Sequence, residues 1–585
     1  MEELIYGILN SPKKKRKVKL YITLAFFLAV AMIPTGIVLA KMLPGKSANT
    51  FSVYVDTATN SSMEETEKVT SCILKYFKQE PNVHDMEVFL AQGAPLDYAG
   101  LVKGSDFKRM KNQAEIVVNL TDKHHRDEPS FLMIHRIRPE VQEACESLVE
   151  GTTIKFVEMP SGPPTMATIV VNIFGKDYAL MRKTANEVST VLEGTEGLVD
   201  IDIMQDDIYP HFEIIPDKEK IIRSGLNVEQ VNNILYLAFE GMVVAVKNSK
   251  EQQDQIPIFI RLDGESRKIC NNSRGGLDWK LSRLKLMNPR GMMIPIKEVI
   301  TVKEVPSNPT IFRKDLKNVV TITSECDMVS QVYPLLDARA ALIEKLSEDF
   351  NVTNSNPAST YMFDLNLVHK ESGDKMLLRW DGEMKVSLDT FRDLGGAFIA
   401  ALILMFLLMV VYYKSFALSG VILLASFLSI IGVIVGHFIT DIISLVVVGT
   451  NFFLTATSLI GFISLMGISA RSSLLLIDFS KALINKGVEK RRAIAISTST
   501  RAKPILMTAI AIILGSLLLS TDPIFGGLGI ALIFGSIAAT VVSLFLVPVL
   551  IDNIEAICPI GEDHQPHAHP GVGIKKHVDP EELGL

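Results

Sequence analysis

Few residues in this sequence combine a reactive type with a setting that would use it. The clearest are Arg471 and Asp478, which lie with Ser464 in one apolar run. Their i, i+7, i+14 spacing places them on roughly one face of a helix. A charge inside a membrane helix is costly, so it normally faces a bundle interior or a water path and is paired with something. Arg471 is therefore a functional candidate by default. The plainer alternative is an ion pair with Asp478, two turns away, that only fixes packing. Arginine does not readily lose its proton, so Arg471 would be an electrostatic partner and not a carrier. Asp478 lies near a helix end where it can reach water, which favours a structural role. Asp393, Asp441 and Asp522 fall at span ends and no carboxylate occupies a span centre. By this inventory a process that needed a titratable carboxylate at mid-span would find none in this chain.

Other chemistry has less support. His564, His567, His569 and His577 lie in a Pro/Gly-punctuated tail whose composition reads as disordered rather than as a metal site. Of the 23 methionines, Met159, Met166, Met292 and Met293 are those to watch as soft metal ligands. No cluster emerges from their spacing, and core packing accounts for most methionines. The five cysteines (Cys72, Cys145, Cys270, Cys326 and Cys558) are far apart with no CxxC, so neither a disulfide framework nor a zinc site is indicated. No phosphate-binding glycine loop, nucleophile elbow or HExxH occurs. The expectation is a protein that is not an enzyme, is not ATP-driven and has no cofactor. A net charge of −6 argues against a nucleic-acid partner.

The elements that must position Arg471 are membrane spans. Of the 585 residues, 48% are hydrophobic and 21% charged, and the apolar surplus is concentrated in 20–40 and 395–552. About 20 apolar residues cross a bilayer. Six spans are expected: Leu20–Ala40, interrupted by Pro34, then Gly395–Tyr413, Ala417–Phe438, Phe453–Phe479, Pro504–Ser520 and Gly526–Ile551. Lys13–Lys19 and the loop from Ser480 to Lys503 are strongly basic, whereas 439–452 and 520–525 hold no Lys or Arg. Positive-inside places both termini in the cytoplasm and 42–393 outside it. PKKKRKV (Pro12–Val18) resembles a nuclear import signal, but directly before an apolar run it reads as a topology anchor. Val38-Leu39-Ala40 resembles a signal-peptide cleavage site, but the apolar run exceeds the usual length, so a retained helix is expected.

Residues 42–393 show period-2 strands alternating with helical stretches. The passes are Phe51–Val55, Met63–Gln79 and Met86–Leu90; Ala114–Leu120, Ser130–Leu148 and Thr153–Val157; and Ala167–Phe174, Tyr178–Leu192 and Leu198–Ile203. Small α+β subdomains of the split-βαβ type are the natural reading. The pattern changes over Phe212–Pro309, with a helix through Asn227–Phe239 and short strands at Ile256–Leu262 and Gly291–Val302, then resumes at Val319–Thr323 and Ala338–Asp349. The expected architecture is an α-helical membrane bundle of six spans plus a large periplasmic α+β region. Its segments are 1–41 (basic N-terminus and first span), 42–205, an inserted 206–309, 310–393, 394–552 (five spans) and a tail at 553–585.

Three membrane blocks are specific: TATSLIGFISLMGISARSSLLLIDFSKA (Thr455–Ala482), RAKPILMTAIAIILGS (Arg501–Ser516) and TDPIFGGLGIALIFGS (Thr521–Ser536). In this order they resemble the second membrane half of the resistance-nodulation-division (RND) transporters. RWDGEM (Arg379–Met384), TFRDLGGAF (Thr390–Phe398) and FEIIPDKEKIIRSGLNVEQVNNIL (Phe212–Leu235) point to the same half. The resemblance covers about residues 12–552. It implies a proton-driven export permease in the bacterial inner membrane, trimeric, working with a periplasmic adaptor and an outer-membrane channel. Residues before about 205 and after 310 would form the porter, and 206–309 the docking part. In that family an aspartate pair on the fourth helix of the first half carries the proton. Basic and hydroxyl residues on later helices face that pair, and Arg471, Thr508 and Arg501 match these positions. Many members have Lys where Arg471 stands. Thr508 and Arg501 rest mainly on the resemblance, since a helix Thr commonly bonds its own backbone and Arg501 also suits a topology anchor. The acidic pair is absent, so the resemblance implies a half-permease, split or truncated, that needs a first-half chain. Two other readings remain open: a self-sufficient half-size transporter titrating at Asp478, and a non-transporting relic or assembly scaffold.

Overall fold

The structure is a computed structural model describing residues 1–159, 162, 165–250, 255–269, 273–355 and 361–554. The tail histidines, Cys270 and Cys558 lie outside the described residues. The chain divides into two compact units: Gln205–Thr310, and the remainder formed by Met1–Met204 with Ile311 onward.

Among the described residues five helical stretches are long and apolar enough to cross a membrane: Glu383–Tyr413, Phe416–Val447, Ala456–Asn485, Lys490–Thr521 and Gly526–Asp552. The first of the six expected spans is different. Its helix is Pro12–Ala31, and turns occupy the residues after it. Pro34 lacks an amide donor and disfavours helical geometry in the preceding residue, which accounts for the early end. The helix therefore contains the basic run in its first turns and only Leu20–Ala31 as apolar length. Beyond it, Leu39–Met42 runs alongside Leu454, with Leu454 N donating to Leu39 O at 2.8 Å and Lys41 N to Leu454 O at 3.1 Å.

Other boundaries move as well. The third expected span ends not at Phe438 but at Val447, so Asp441 is helical and not in a loop. Of the basic stretch expected as a loop from Ser480 to Lys503, only the residues around Lys486–Glu489 break the helix, and Arg501 and Lys503 lie inside Lys490–Leu517. At this end of the bundle Arg492 pairs with Glu2 at 2.7 Å and Glu3 at 2.9 Å, and Lys15 pairs with Asp552. The two basic segments thus meet at one end of the bundle.

Between Thr50 and Val157 a β-α-β-β-α-β run folds into one antiparallel sheet, ordered Val83–Leu90, Gln113–Leu120, Thr50–Asp56, Thr153–Val157. The helices Met63–Phe77 and Ser130–Glu146 bury Val69, Ile73, Phe77, Met133, Ile137 and Val141 against it. Ser62 opens the first with a capping box to Glu65. Contrary to the expectation from spacing, Cys72 and Cys145 form a disulfide joining these two helices. A separation of 73 positions concealed a proximity that only the packing of the helices creates.

A second sheet combines Ile169–Phe174 and Leu198–Met204 with Lys317–Cys326, Phe350–Asn354, Leu365–His369 and Lys375–Asp381. Its strands on either side of the separate unit pair directly, Ile322 opposite Val171 and Ile203. Lys375–Asp381 leads through Gly382 (φ +81°) into the first long apolar helix. A side chain at Gly382 would also meet the Ala167 carbonyl oxygen, at 2.6 Å. The unit Gln205–Thr310 has its own core around Ile221, Val231, Leu277, Leu281 and Val302, with Pro210–Pro216 paired antiparallel to Ile300–Pro306.

Candidate functional site

Arg471 lies in the Ala456–Asn485 helix, which forms the middle of the bundle and buries Leu465, Met466, Ser469, Ser473, Leu476 and Ile477. Arg471 occupies the opposite side: with Ser464 and Gly467 it is exposed. It makes no ion pair or hydrogen bond among the described residues. The packing pair with Asp478 does not form. Asp478 instead accepts hydrogen bonds from the hydroxyls of Tyr413 at 2.9 Å and Tyr412 at 3.5 Å, both on the Glu383–Tyr413 helix.

Thr508 and Arg501 are on the next helix. The Thr508 hydroxyl donates to its own helix at the Pro504 carbonyl, 2.8 Å away. The Arg501 guanidinium lies over the Phe479 ring at 4.9 Å, and its Nε is buried without a hydrogen bond among the described residues. Each of the four candidates therefore has a different environment, and the chain alone does not gather them into one site. Neither arginine has a counter-charge among the described residues, but Arg501 lies over an aromatic ring whereas Arg471 is exposed with no polar or ring contact.

A second polar centre lies in the α+β region, where the two sheets meet. Arg138 reaches Asp327 at 3.0 Å and Asp200 at 3.4 Å, and Lys103 pairs with Glu325. Lys108 and Lys155 both reach Asp56, at 2.9 and 3.3 Å. Burial pushes the Asp56 carboxyl up, but these two ammonium groups outweigh it and hold it at about 2. A cavity of about 120 Å³ opens beside this network, lined by Lys41, Lys103, Arg138, Glu158, Glu325 and Cys326 among others. Met159 also borders it, whereas Met292 and Met293 are exposed in the separate unit. Among the described residues no group of three His, Cys, Asp or Glu is placed to hold a metal ion.

Glu158 forms no ion pair in this network among the described residues. Burial pushes its carboxyl up to about 6; Arg138 opposes the shift and Glu325 adds to it. An acid whose pKa is raised on folding adds stability below its unfolded value, and that stability is lost as pH rises through about 6. The midpoint of thermal unfolding of the α+β region should rise by a few degrees between neutral and mildly acidic pH. Glu158→Gln should flatten that rise, and an unchanged pH profile in this variant would contradict the assignment.

One buried titratable group lies outside the four candidates, because carboxylates are the only proton carriers in the sequence inventory above. His437, in Ile430–Val447, is 0% exposed. Its Nδ1 is 2.8 Å from the Val433 carbonyl and its Nε2 2.8 Å from the Ser458 hydroxyl. The signal available in the sequence was a lone histidine within an apolar run.

A profile of the AcrB/AcrD/AcrF family matches residues 2–554. The chain is 24% identical over 391 residues to the swarming motility protein SwrC of Bacillus subtilis, covering 65% of this chain and 32% of that protein. It is also 24% identical over 434 residues to the cobalt-zinc-cadmium resistance protein CzcA of Cupriavidus metallidurans, covering 71% and 36% respectively. The fold is similar to the crystal structure of a heavy metal efflux pump, with TM-score 0.69 and 19% identity, over 95% of this chain and 52% of that one. The chain thus spans about half the length of the solved pump and aligns with about a third of each of these two curated relatives.

Proposed function

The chain belongs to the AcrB/AcrD/AcrF family of transporters, and from that premise we propose that it is the second half of a proton-driven RND export permease. Its partner, a first-half chain or segment, would supply carboxylates facing Arg471. One observation carries this reading: Arg471 is an exposed cation on a membrane-length helix with no counter-charge among the described residues. In a bilayer such a group needs a partner or a water path, and the exposed Ser464–Gly467–Arg471 stripe offers a face on which a partner helix can supply one. Thr508 and Arg501, on the neighbouring helix, would complete the relay, with Asp478 held aside by its two tyrosines.

In this reading the bundle lies in the bacterial inner membrane with both termini cytoplasmic and the α+β region periplasmic. A disulfide persists in an oxidising compartment, so the Cys72–Cys145 bridge supports that side for the α+β region. The assembly would be a trimer that engages a periplasmic adaptor and an outer-membrane channel. The ion-paired contact between the two sheets would be the part of the porter that opens and closes. Relatives named for cobalt, zinc, cadmium and heavy metals make divalent metal cations the cargo to test first, with small amphiphiles second.

The test is metal efflux from cells carrying the chain alone or with a first-half chain, each with and without Arg471→Ala. Export should require the partner and should fall about a hundredfold or more in the variant, the scale expected when one member of a desolvated charge pair is removed. Export by the chain alone, unaffected by the substitution, would overturn both the partner requirement and the role of Arg471.

A further inference from the structure

His437 is enclosed, titratable and absent from the relay described above. Its Nδ1 faces only a carbonyl acceptor, Val433, so Nδ1 carries hydrogen in either protonation state and Nε2 is the nitrogen that titrates. From Nε2 a line of hydroxyls leads away: Ser458 at 2.8 Å, then Thr455 at 3.0 Å from Ser458, then Thr457 at 2.8 Å from Thr455. Thr457 donates to the Ile524 carbonyl at 3.1 Å, in the turn where Thr521, Asp522 and Pro523 are exposed. His437 and Ser458 are fully buried and Thr455 nearly so.

Two backbone amides fix the inner hydroxyls without using their hydrogens. Thr455 N donates to Ser458 Oγ at 3.1 Å, and Ser458 N donates to Thr455 Oγ1 at 3.3 Å. Each hydroxyl keeps one hydrogen to direct along the line. With His437 neutral and the line set for inward transfer, Ser458 donates to Nε2, Thr455 to Ser458, and Thr457 turns its hydrogen from Ile524 to Thr455. With His437 protonated the order reverses, Nε2 donating to Ser458, Ser458 to Thr455, Thr455 to Thr457, and Thr457 to Ile524. The three contacts from Nε2 out to Thr457 thus serve both protonation states in opposite polarity, whereas the Ile524 carbonyl only accepts and holds the Thr457 hydrogen in the protonated state. Gly527 sits against the line from the Gly526–Val541 helix, where a Cβ would lie 2.3 Å from Thr455 Oγ1 and 2.4 Å from Ser458 Oγ.

We propose that His437 is a proton-binding group of the membrane bundle, connected to the 520–525 turn by the hydroxyls of Thr457, Thr455 and Ser458. A proton from water enters at Thr457, each hydroxyl passes its own proton inward as it takes one, and Nε2 gains the last; every O–H bond broken is replaced. The other charged groups around the line are few. Asp441, one turn along the same helix, accepts from Phe452 N; Asp522 accepts from the amides of Ile524 and Phe525; Lys41 lies over the Phe453 ring. The packed Gly526–Val541 helix has no charged residue, and Pro12–Ala31 has its charges confined to Lys13–Lys19. The neutral imidazole is fully satisfied where it stands, whereas an imidazolium there has only oxygen dipoles around it. Protonation therefore favours an arrangement that admits water or a counter-charge, which is the property required of a coupling group.

The inference rests on the transporter reading, but its test reads the imidazole itself and needs neither cargo nor partner. The full chain, labelled with ¹⁵N-histidine in lipid vesicles, is followed by NMR, with His437→Gln identifying the signal. The expected result is a neutral-to-protonated transition between about pH 4 and 8. Exchange of that site with solvent deuterium should slow at least about tenfold in Thr457→Val, which interrupts the line but leaves the Thr455 cap in place. A signal that stays neutral throughout, or exchange unchanged in Thr457→Val, would overturn the proposal.

Discussion

Replacing Cys72 and Cys145 together by alanine should destabilise the Thr50–Val157 subdomain by about 4 kcal/mol. The two residues are 73 positions apart, and a cross-link closing a loop of that size removes much of the unfolded chain's freedom. In the folded state the bridge joins the two helices that cover one sheet, and Cys145 is completely buried in that core. For a subdomain of this size the midpoint should fall by roughly 10 °C or more. Reductant should shift the wild-type chain by a similar amount and leave the double variant unchanged. Equal midpoints for wild type and variant would mean that helix packing alone holds the subdomain.

That bridge also marks a boundary of what the sequence discloses. Period-2 alternation located the strands Thr50–Asp56, Gln113–Leu120 and Thr153–Val157 because their alternate side chains enter one core. Their order in the sheet, and hence the meeting of Cys72 with Cys145, depends on how helices pack across it, which leaves no mark in spacing. The membrane helices were legible because length and apolarity are what a bilayer requires. Their ends were not: Asp441 and Arg501 lie within helices that continue past the apolar run, since helical hydrogen bonding does not stop where hydrophobicity does. Pro34 acted in the opposite direction, ending a helix inside an apolar run.

The candidate site was legible to the same degree. An arginine in an apolar helix is conspicuous, and periodicity placed Ser464 and Arg471 together, but not which way that face points. The structure turns it outward because Ser469, Ser473 and Leu476 take the inward side. His437 lies at the edge of the expected span, which closes at Phe438; in the helix Ile430–Val447 it is enclosed. Its hydroxyl line depends on Thr455, Thr457 and Ser458 at the start of one helix and on a glycine from another, a conjunction that no single segment reveals.

That close approach of helices leads to the second large effect. Gly432→Leu should destabilise the bundle by about 1–3 kcal/mol or prevent its assembly, because overpacking displaces backbone and not only side chains. A Cβ at Gly432 would lie 2.2 Å from the Phe534 carbonyl oxygen and 2.6 Å from Ala538 Cβ; one at Gly436, a turn later, would lie 2.5 Å from Phe534 Cβ. Facing them, Gly535 has Leu465 at 2.2 Å from its own Cβ position. Apolar side chains gain little from leaving lipid for one another, so contact between membrane helices relies on such small-residue approaches. The two helices cannot separate to admit a leucine without disturbing the contact of the first with Ser458. Gly467→Leu supplies the comparison, since nothing lies within 4 Å of that Cβ position and the residue is exposed. Thermal unfolding in detergent should show Gly432→Leu well below wild type and Gly467→Leu close to it. If Gly467, one turn from Arg471, faces a partner helix, its leucine variant should fold alone yet fail to co-purify with a first-half chain. Equal loss of stability in both variants would mean that glycine flexibility, not helix contact, is what the bundle requires.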